Sequence, residues 1–232
     1  LFNINMIRGT SWCGRRWRRD LSTPTAESYI GDLDMLRNLP GILGLGCYLV
    51  DDAHNRRKLD PNNHYKLVTG ENVTLDGARG QYQWGWATGF YFAEWVEGNY
   101  DNWAVGLSPI PGRRNYYIPV SSKSATGHGV MDRTEQKLCS VVSTDARYRG
   151  GNGSAIASGN AHPDILSMLG YPATAISTAQ FEAYGRARGI GWGAGWYLIE
   201  TMVYVLFCII FGTRNSQAPV NANKDANGLY QG

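Results

Sequence analysis

A chain of 232 residues with 43% hydrophobic content can bury a core, and its length suits one large domain with a short adaptor better than two full domains. Twenty-two Lys and Arg against 19 Asp and Glu leave a formal charge of +3, which excludes a field able to concentrate nucleic acid over the whole surface. The 29 Gly, 14 Tyr and 8 Trp describe a turn-rich protein whose packing leans on aromatic rings.

The first ten residues lack the basic start, apolar middle and small-residue cleavage site of a secretory signal. Arg15-Arg16-Trp17-Arg18-Arg19 is a basic cluster with an interleaved aromatic, a pattern that can grip phosphates and stack a base. With so small a net charge, it reads instead as a solvated or subunit-contacting arm, so residues 1–22 are taken as an N-terminal arm or connector and 23–232 as the domain.

A helix is predicted from about Pro24 to Asn38, where Ile30, Leu33, Leu36 and Leu39 recur every three residues and Pro40-Gly41 stops it. Leu45 to Val50 reads as a buried strand, and the polar run from Asp51 to Asn72 as a surface hairpin or loop. Between Gln81 and Val96, Tyr82/Trp84/Trp86 and Phe90/Phe92 give two period-2 strands broken at Gly89. The rings of Trp84, Trp86, Phe90, Phe92, Trp95 and Trp103 offer more aromatic area than one face of a sheet is expected to hide, which predicts an exposed association surface. Surface loops are predicted over Ser121–Gly129 and Arg149–Asn160, flanking a central stretch from Met131 to Ala146.

Ser177-Thr-Ala-Gln180 fits a capping box opening a short helix, with Phe181 and Tyr184 on its buried side, that ends at Gly189. From Trp192 to Gly212 only Glu200 is charged, a length and composition that imitate a membrane span. Tyr197, Glu200, Thr201, Tyr204 and Cys208, however, fall on one semi-polar stripe, while Leu198, Met202, Val205, Leu206, Ile209 and Ile210 cover the rest. The segment is therefore predicted to be a core helix with one edge near water, and no span is expected.

Chemistry-bearing motifs are few. Cys13, Cys47, Cys139 and Cys208 are far apart with no C-x-x-C pair, so free thiols from a reducing cytosol are expected rather than a zinc knuckle or a redox dithiol. His54, His64, His128 and His162 read as solvated loop histidines, and neither H-E-x-x-H nor G-x-S-x-G occurs. Gly191-Trp-Gly193-Ala-Gly195 follows a helix and Gly41-Ile-Leu-Gly44-Leu-Gly46 leads into a strand, the wrong contexts for a phosphate cradle. Asn223-Lys-Asp225-Ala-Asn227-Gly228 copies a calcium loop, with Asn223 in place of the first Asp and no closing Glu; Asn223, Asp225 and Asn227 are the candidate calcium ligands, with an ordinary turn as the plainer reading. No catalytic residue and no other cofactor is expected.

Six phrases carry a resemblance that spans nearly the whole chain: Trp12-Cys-Gly-Arg-Arg-Trp17, Ile30-Gly-Asp-Leu-Asp-Met-Leu-Arg-Asn-Leu-Pro40, Leu75-Asp-Gly-Ala-Arg-Gly-Gln81, Ser140-Val-Val-Ser-Thr-Asp-Ala-Arg-Tyr-Arg-Gly-Gly151, Gly212-Thr-Arg-Asn-Ser-Gln217 and Asp225-Ala-Asn-Gly-Leu-Tyr-Gln-Gly232. Together they resemble tail and tail-fibre proteins of gut-bacterial phages, including those diversified by retroelements, whose terminal domain is C-type-lectin-like. The resemblance implies an α+β, C-type-lectin-like domain with two successive helices, short antiparallel strands and long loops. It also implies a virion tail protein that is assembled in the host cytoplasm, forms a homo-oligomer, most simply a trimer, and contacts other tail proteins and a bacterial surface receptor. In the family the ligand-facing residues lie beyond a segment like Gly228–Gly232, so the domain is expected to be incomplete at its C-terminal end and the resemblance assigns no receptor residue. Tyr82-Gln-Trp-Gly-Trp86 departs from the family by being more aromatic and glycine-broken. Two alternatives share the features: an oxidase of the formylglycine-generating type, which has the same fold and uses a cysteine pair such as Cys139 and Cys208 would have to form, and a prophage-encoded or bacterial surface adhesin.

Overall fold

Residues 11–126, 129–151, 168–172, 174, 176–217, 219, 223 and 226 are described by a computed structural model of the chain. In chain order their elements begin with β1 (Trp12–Arg18), β2 (Ser28–Gly31), α1 (Leu33–Leu43), β3 (Gly46–Val50), β4 (Arg56–Asp60) and β5 (Asn63–Leu67). Next come β6 (Gln81–Trp86), β7 (Phe90–Glu97), β8 (Tyr100–Gly106), β9 (Tyr116–Ile118) and β10 (Ser121–Ser124). The last are β11 (Val130–Asp132), β12 (Lys137–Cys139), α2 (Thr178–Arg186) and α3 (Tyr197–Phe211). The architecture is mixed α+β with antiparallel strand pairing, in two compact units: Leu1–Leu45, Trp86–Ser121 and Tyr197–Gly232 form the first, Gly46–Gly85 and Ser122–Trp196 the second.

The first unit is a five-stranded sheet, ordered β2-β1-β8-β7-β9, with α1 and α3. The stretch expected to be an arm is β1, paired on both sides, with β2 (Cys13 opposite Gly31) and β8 (Cys13 opposite Val105). Gly14 makes this possible: a Cβ there would lie 2.1 Å from the Trp103 carbonyl oxygen, so only a residue without one lets the two strands close up. Arg15, Arg16 and Arg18 are half-buried within this paired strand instead of projecting from an arm. Trp17 is buried between them, its Nε1 donating to the Pro24 carbonyl at 3.0 Å.

The helix expected over Pro24–Asn38 begins later, at Leu33, because Ser28–Gly31 is taken up by pairing with β1. Asp32 stays extended and caps it, its carboxylate accepting from the Met35 N–H at 2.9 Å. Pro40, expected to stop the helix, lies inside it; the end comes at Gly44, where Gly44 N–H to Gly41 O and Leu45 N–H to Pro40 O close a Schellman motif. The ring of Pro40 removes one helical bond, but the fully buried Leu39 and Leu43 hold the last turn in place.

The aromatic stretch is not an exposed surface. Trp86, Phe90 and Phe92 are buried, and Trp84, Trp95 and Trp103 are half-buried. The Trp86 indole donates to the Pro119 carbonyl at 2.7 Å, and its ring meets Phe90 edge-on at 5.6 Å. These rings are core, which removes the surface argument for association built on them.

α3 is the core helix expected from its pattern. Met202, Val205, Leu206, Cys208 and Ile209 are buried, while Tyr197, Glu200 and Tyr204 face water. Two details differ: Cys208 belongs to the buried side, and Leu198, in the first turn, is exposed. No helix among the described residues is long and apolar enough to cross a membrane.

The second unit holds a sheet ordered β10-β6-β3-β4-β5 and a hairpin of β11 and β12. Leu49, Leu59, Leu67, Val73 and Leu75 form one cluster, and Val130, Cys139, Val141 and Tyr148 another. The polar run after Val50 forms the β4–β5 hairpin, as one of its two readings had it. Ser121–Ser124, expected to be loop, is the edge strand β10. The capping box at α2 is present in full, with Ser177 accepting from the Gln180 N–H and the Gln180 side chain accepting from the Ser177 N–H.

Asp132 anchors the β11–β12 turn. Its buried carboxylate accepts from the N–H groups of Thr134 (2.9 Å) and Glu135 (3.0 Å) and from the Arg147 guanidinium. Burial alone would raise its pKa, but the backbone N–H groups and Arg147 outweigh it and hold the carboxyl below its usual range.

Two predictions follow from this packing. Ile209→Asp should cost about 3–5 kcal/mol, as an uncompensated buried charge does, and abolish the cooperative thermal transition, whereas Tyr197→Asp, at a position 87% exposed, should leave it in place. Because the native pKa of Asp132 is depressed, its contribution is present above the ordinary carboxylate range and is lost as pH falls through the native value. Asp132→Asn should therefore lower stability at neutral pH by about 1–3 kcal/mol, with the gap to wild type closing in acid denaturant titrations.

Candidate ligand-binding cleft

In the second unit, the end of β3 and the turn before β6 enclose a polar cleft of about 500 Å³, lined by Asp51, Asp52, Arg57, Arg79, Gly80 and Arg188 among others. One wall is a turn organised by Asp51, whose carboxylate accepts from the N–H groups of Ala53 (3.1 Å) and Asn55 (2.9 Å) and from Asn55 Nδ2 (3.0 Å). The Asn55 side chain first, then these backbone donors, lower the Asp51 pKa.

The opposite wall is Asp76–Gly80, closed by Ala78 N–H to Asp76 Oδ1 (3.0 Å) and Gly80 N–H to Gly77 O (3.2 Å). Gly80 has φ +124°, and a Cβ there would meet the Val50 carbonyl carbon and oxygen at 2.7 and 2.8 Å. Backbone therefore packs on backbone, and this contact fixes the floor.

Three guanidinium groups enter from separate segments. Arg57 Nη1 donates to the Arg79 carbonyl at 2.9 Å, and Arg79 pairs with Glu71. Arg188, its side chain 10% exposed, donates through Nη1 to Asp52 (2.8 Å), through Nε to the Leu138 carbonyl (3.1 Å) and through Nη2 to Cys139 Sγ (2.8 Å). Burial works against the Arg188 charge, but Cys139 and Asp52 outweigh it and raise its pKa. The guanidinium also lies 5.7 Å from the Trp192 ring.

Two histidines are structural rather than merely solvated. His54 stacks on Trp192 at 5.5 Å and its Nε2 donates to the Ile190 carbonyl at 2.7 Å, while His64 Nδ1 lies 2.5 Å from the Tyr82 hydroxyl. His128 and His162 lie outside the described residues. Burial raises all four thiols: Cys13 to about 12, with Asp32 adding to the effect, and Cys47, Cys139 and Cys208 in the same direction.

Of the candidate calcium ligands, Asn223 is exposed, and Asp225 and Asn227 lie outside the described residues. Among the described residues no group of three or more His, Cys, Asp or Glu is placed to hold a metal. The basic cluster is engaged within its own unit: Arg15 with the Ile209 carbonyl, Arg16 with Ser28, Arg18 with Asp20 and Arg19 with Asp101. No protein-family model, curated protein or solved structure matches this chain.

Arg57 and Arg188 lie in no motif and Arg79 only within the Leu75–Gln81 phrase, and their convergence comes from folding. The signals available were the Asp51-Asp52 turn and the Gly77/Gly80 pair. Gly80→Ala should destabilise the chain by about 1–3 kcal/mol, read as a lowered denaturant midpoint, because the added methyl strains φ and collides with β3.

Proposed function

We propose that the chain is a non-catalytic virion module of a phage tail or tail fibre, with a C-type-lectin-like domain that binds the host surface. The six sequence phrases support the family, and the mixed α+β fold with successive helices α2 and α3 is compatible with the domain type. The observation that carries the binding reading is the polar cleft, whose carboxylates and guanidiniums are already held by one another and by the backbone. Such a site can recognise a ligand by hydrogen bonding without supplying a reactive group. An oxidase would need an accessible thiolate, and burial that keeps the thiols protonated weighs against it. Assembly as a trimer with other tail proteins is part of the same proposal, resting on the resemblance alone.

The test is direct. The fluorescently labelled chain should bind saturably to cells of at least one strain in a panel of gut-bacterial isolates, and light scattering at micromolar concentration should give three times the monomer mass. Absence of binding across the panel would overturn the host-surface role, and a monomer that stays folded on dilution would overturn the trimer.

A further inference from the structure

Ile190, in the second unit, is 97% exposed, more than any other large apolar side chain among the described residues. A single aliphatic group in water is ordinary on a protein surface, and what sets this one apart is the backbone beneath it. The Ile190 carbonyl accepts from His54 Nε2 at 2.7 Å, and Trp192 stacks on the same imidazole at 5.5 Å. The residues between them form a turn closed by Trp192 N–H to Gly189 O at 3.2 Å. Gly191 has φ +85°, and a Cβ there would lie 3.0 Å from His54 Nε2, so a glycine is what lets this segment lie against the histidine. Ile190 is therefore presented to solvent on a fixed base, with little backbone freedom left to lose when it is buried against another surface.

The same unit carries a surface of matching chemistry. A cavity of about 310 Å³ is lined by Val130, Val141, Val142, Thr144, Tyr148 and Leu169 among others, and no charged residue contributes to its walls. Val130, Val141 and Tyr148 belong to one buried cluster, while Val142 and Thr144 are exposed, so the cavity is apolar within and open to water at its rim. Walls of this kind suit a branched aliphatic side chain and reject an ion, whose lost hydration they cannot replace. The Ile190 of the same chain does not fill the cavity, since it stands in solvent.

We infer that Ile190 of one copy of the chain inserts into the Val142–Leu169 cavity of the next. This rests on the trimeric reading given above and names the contact that would hold it. Knob and cavity are different patches of one surface, so the contact is heterologous, and a ring of three uses each knob and each cavity once with none left over. Burying one aliphatic side chain in this way strengthens each contact by roughly tenfold to a hundredfold.

Light scattering on the full chain tests it, with Ile190→Asp and Val142→Asp. Both positions are exposed, so both variants should keep the wild-type thermal transition, which separates loss of association from loss of fold. Each variant alone should fall from the trimer to the monomer mass. Mixed in equal amounts, the two should give a species of twice the monomer mass, because Ile190→Asp keeps an intact cavity and Val142→Asp keeps an intact knob. A trimer that survives either substitution would overturn the inference and leave the trimeric reading standing. A mixture that stays monomeric at the highest soluble concentration would also sink it, since both residues would then belong to one symmetric patch. A wild-type chain that is itself monomeric removes the trimer and, with it, the contact.

Discussion

Arg15, Arg16 and Arg18 lie on a strand inside the sheet of the first unit, and each guanidinium finds a partner within that unit, Arg15 making the most buried of these contacts. Arg15, whose pKa burial lowers, donates through Nε to the Ile209 carbonyl at 3.0 Å, in the last turn of α3. That turn contains no basic residue of its own, so β1 supplies the cation that the end of a helix favours. Arg16 reaches Ser28 on the neighbouring strand and lies 4.5 Å from the Tyr100 ring. The solvent-screened pairs Arg18–Asp20 and Arg19–Asp101 contribute little. Leaving the half-buried Arg15 group unsatisfied would cost about 1–3 kcal/mol, a contribution added to the burial of Met202, Val205, Leu206 and Ile209 that packs α3.

The same unit sets a further cation, Arg214, against its aromatic rings. Arg214 lies 4.6 Å from the Trp17 ring and 4.7 Å from the Trp103 ring, while its Nη2 meets Asp101 at 3.4 Å. Trp17 and Trp103 also contact each other at 5.1 Å. Residues far apart in sequence thus close the aromatic layer beside β1 and β8. The cluster read as a basic arm is part of this packing, and its charge is used within the fold.

How much of this was legible in the sequence depends on how local its cause is. The capping box of α2, the apolar surface of α3, the β3 strand and the break between β6 and β7 depend on neighbours a few residues away, and each was readable. The start of α1 was not, because the period of three from Ile30 to Leu39 continues through a stretch that pairing with β1 claims for β2. Nor was the fate of the aromatic rings. Alternation shows which side chains share a face, but whether that face is covered depends on distant residues such as Pro119, which accepts the Trp86 N–H. The cleft lies at the far end of this scale: the Asp51-Asp52 turn is visible as polar sequence, whereas Arg57, Arg79 and Arg188 come from three segments that only the fold brings together.

Rigidity around the cleft follows from contacts that ignore sequence distance in the same way. Arg188 joins the Asp51–Asn55 turn to β12, through Asp52 on one side and the Leu138 carbonyl and Cys139 thiol on the other. His54, from that turn, stacks on Trp192 and holds the Ile190 carbonyl, so the segment after α2 is tied down at two points by a residue of the opposite loop. A charged side chain held by three partners has little freedom left to lose when a ligand arrives, so the ordering cost that weakens most exposed polar sites is largely met in advance. The same contacts have a chemical consequence. The Cys139 thiol sits beside a guanidinium that would ordinarily favour a thiolate, yet burial dominates and its pKa rises. An arginine that organises a wall of the cleft therefore does so without bringing down the pKa of the cysteine beside it.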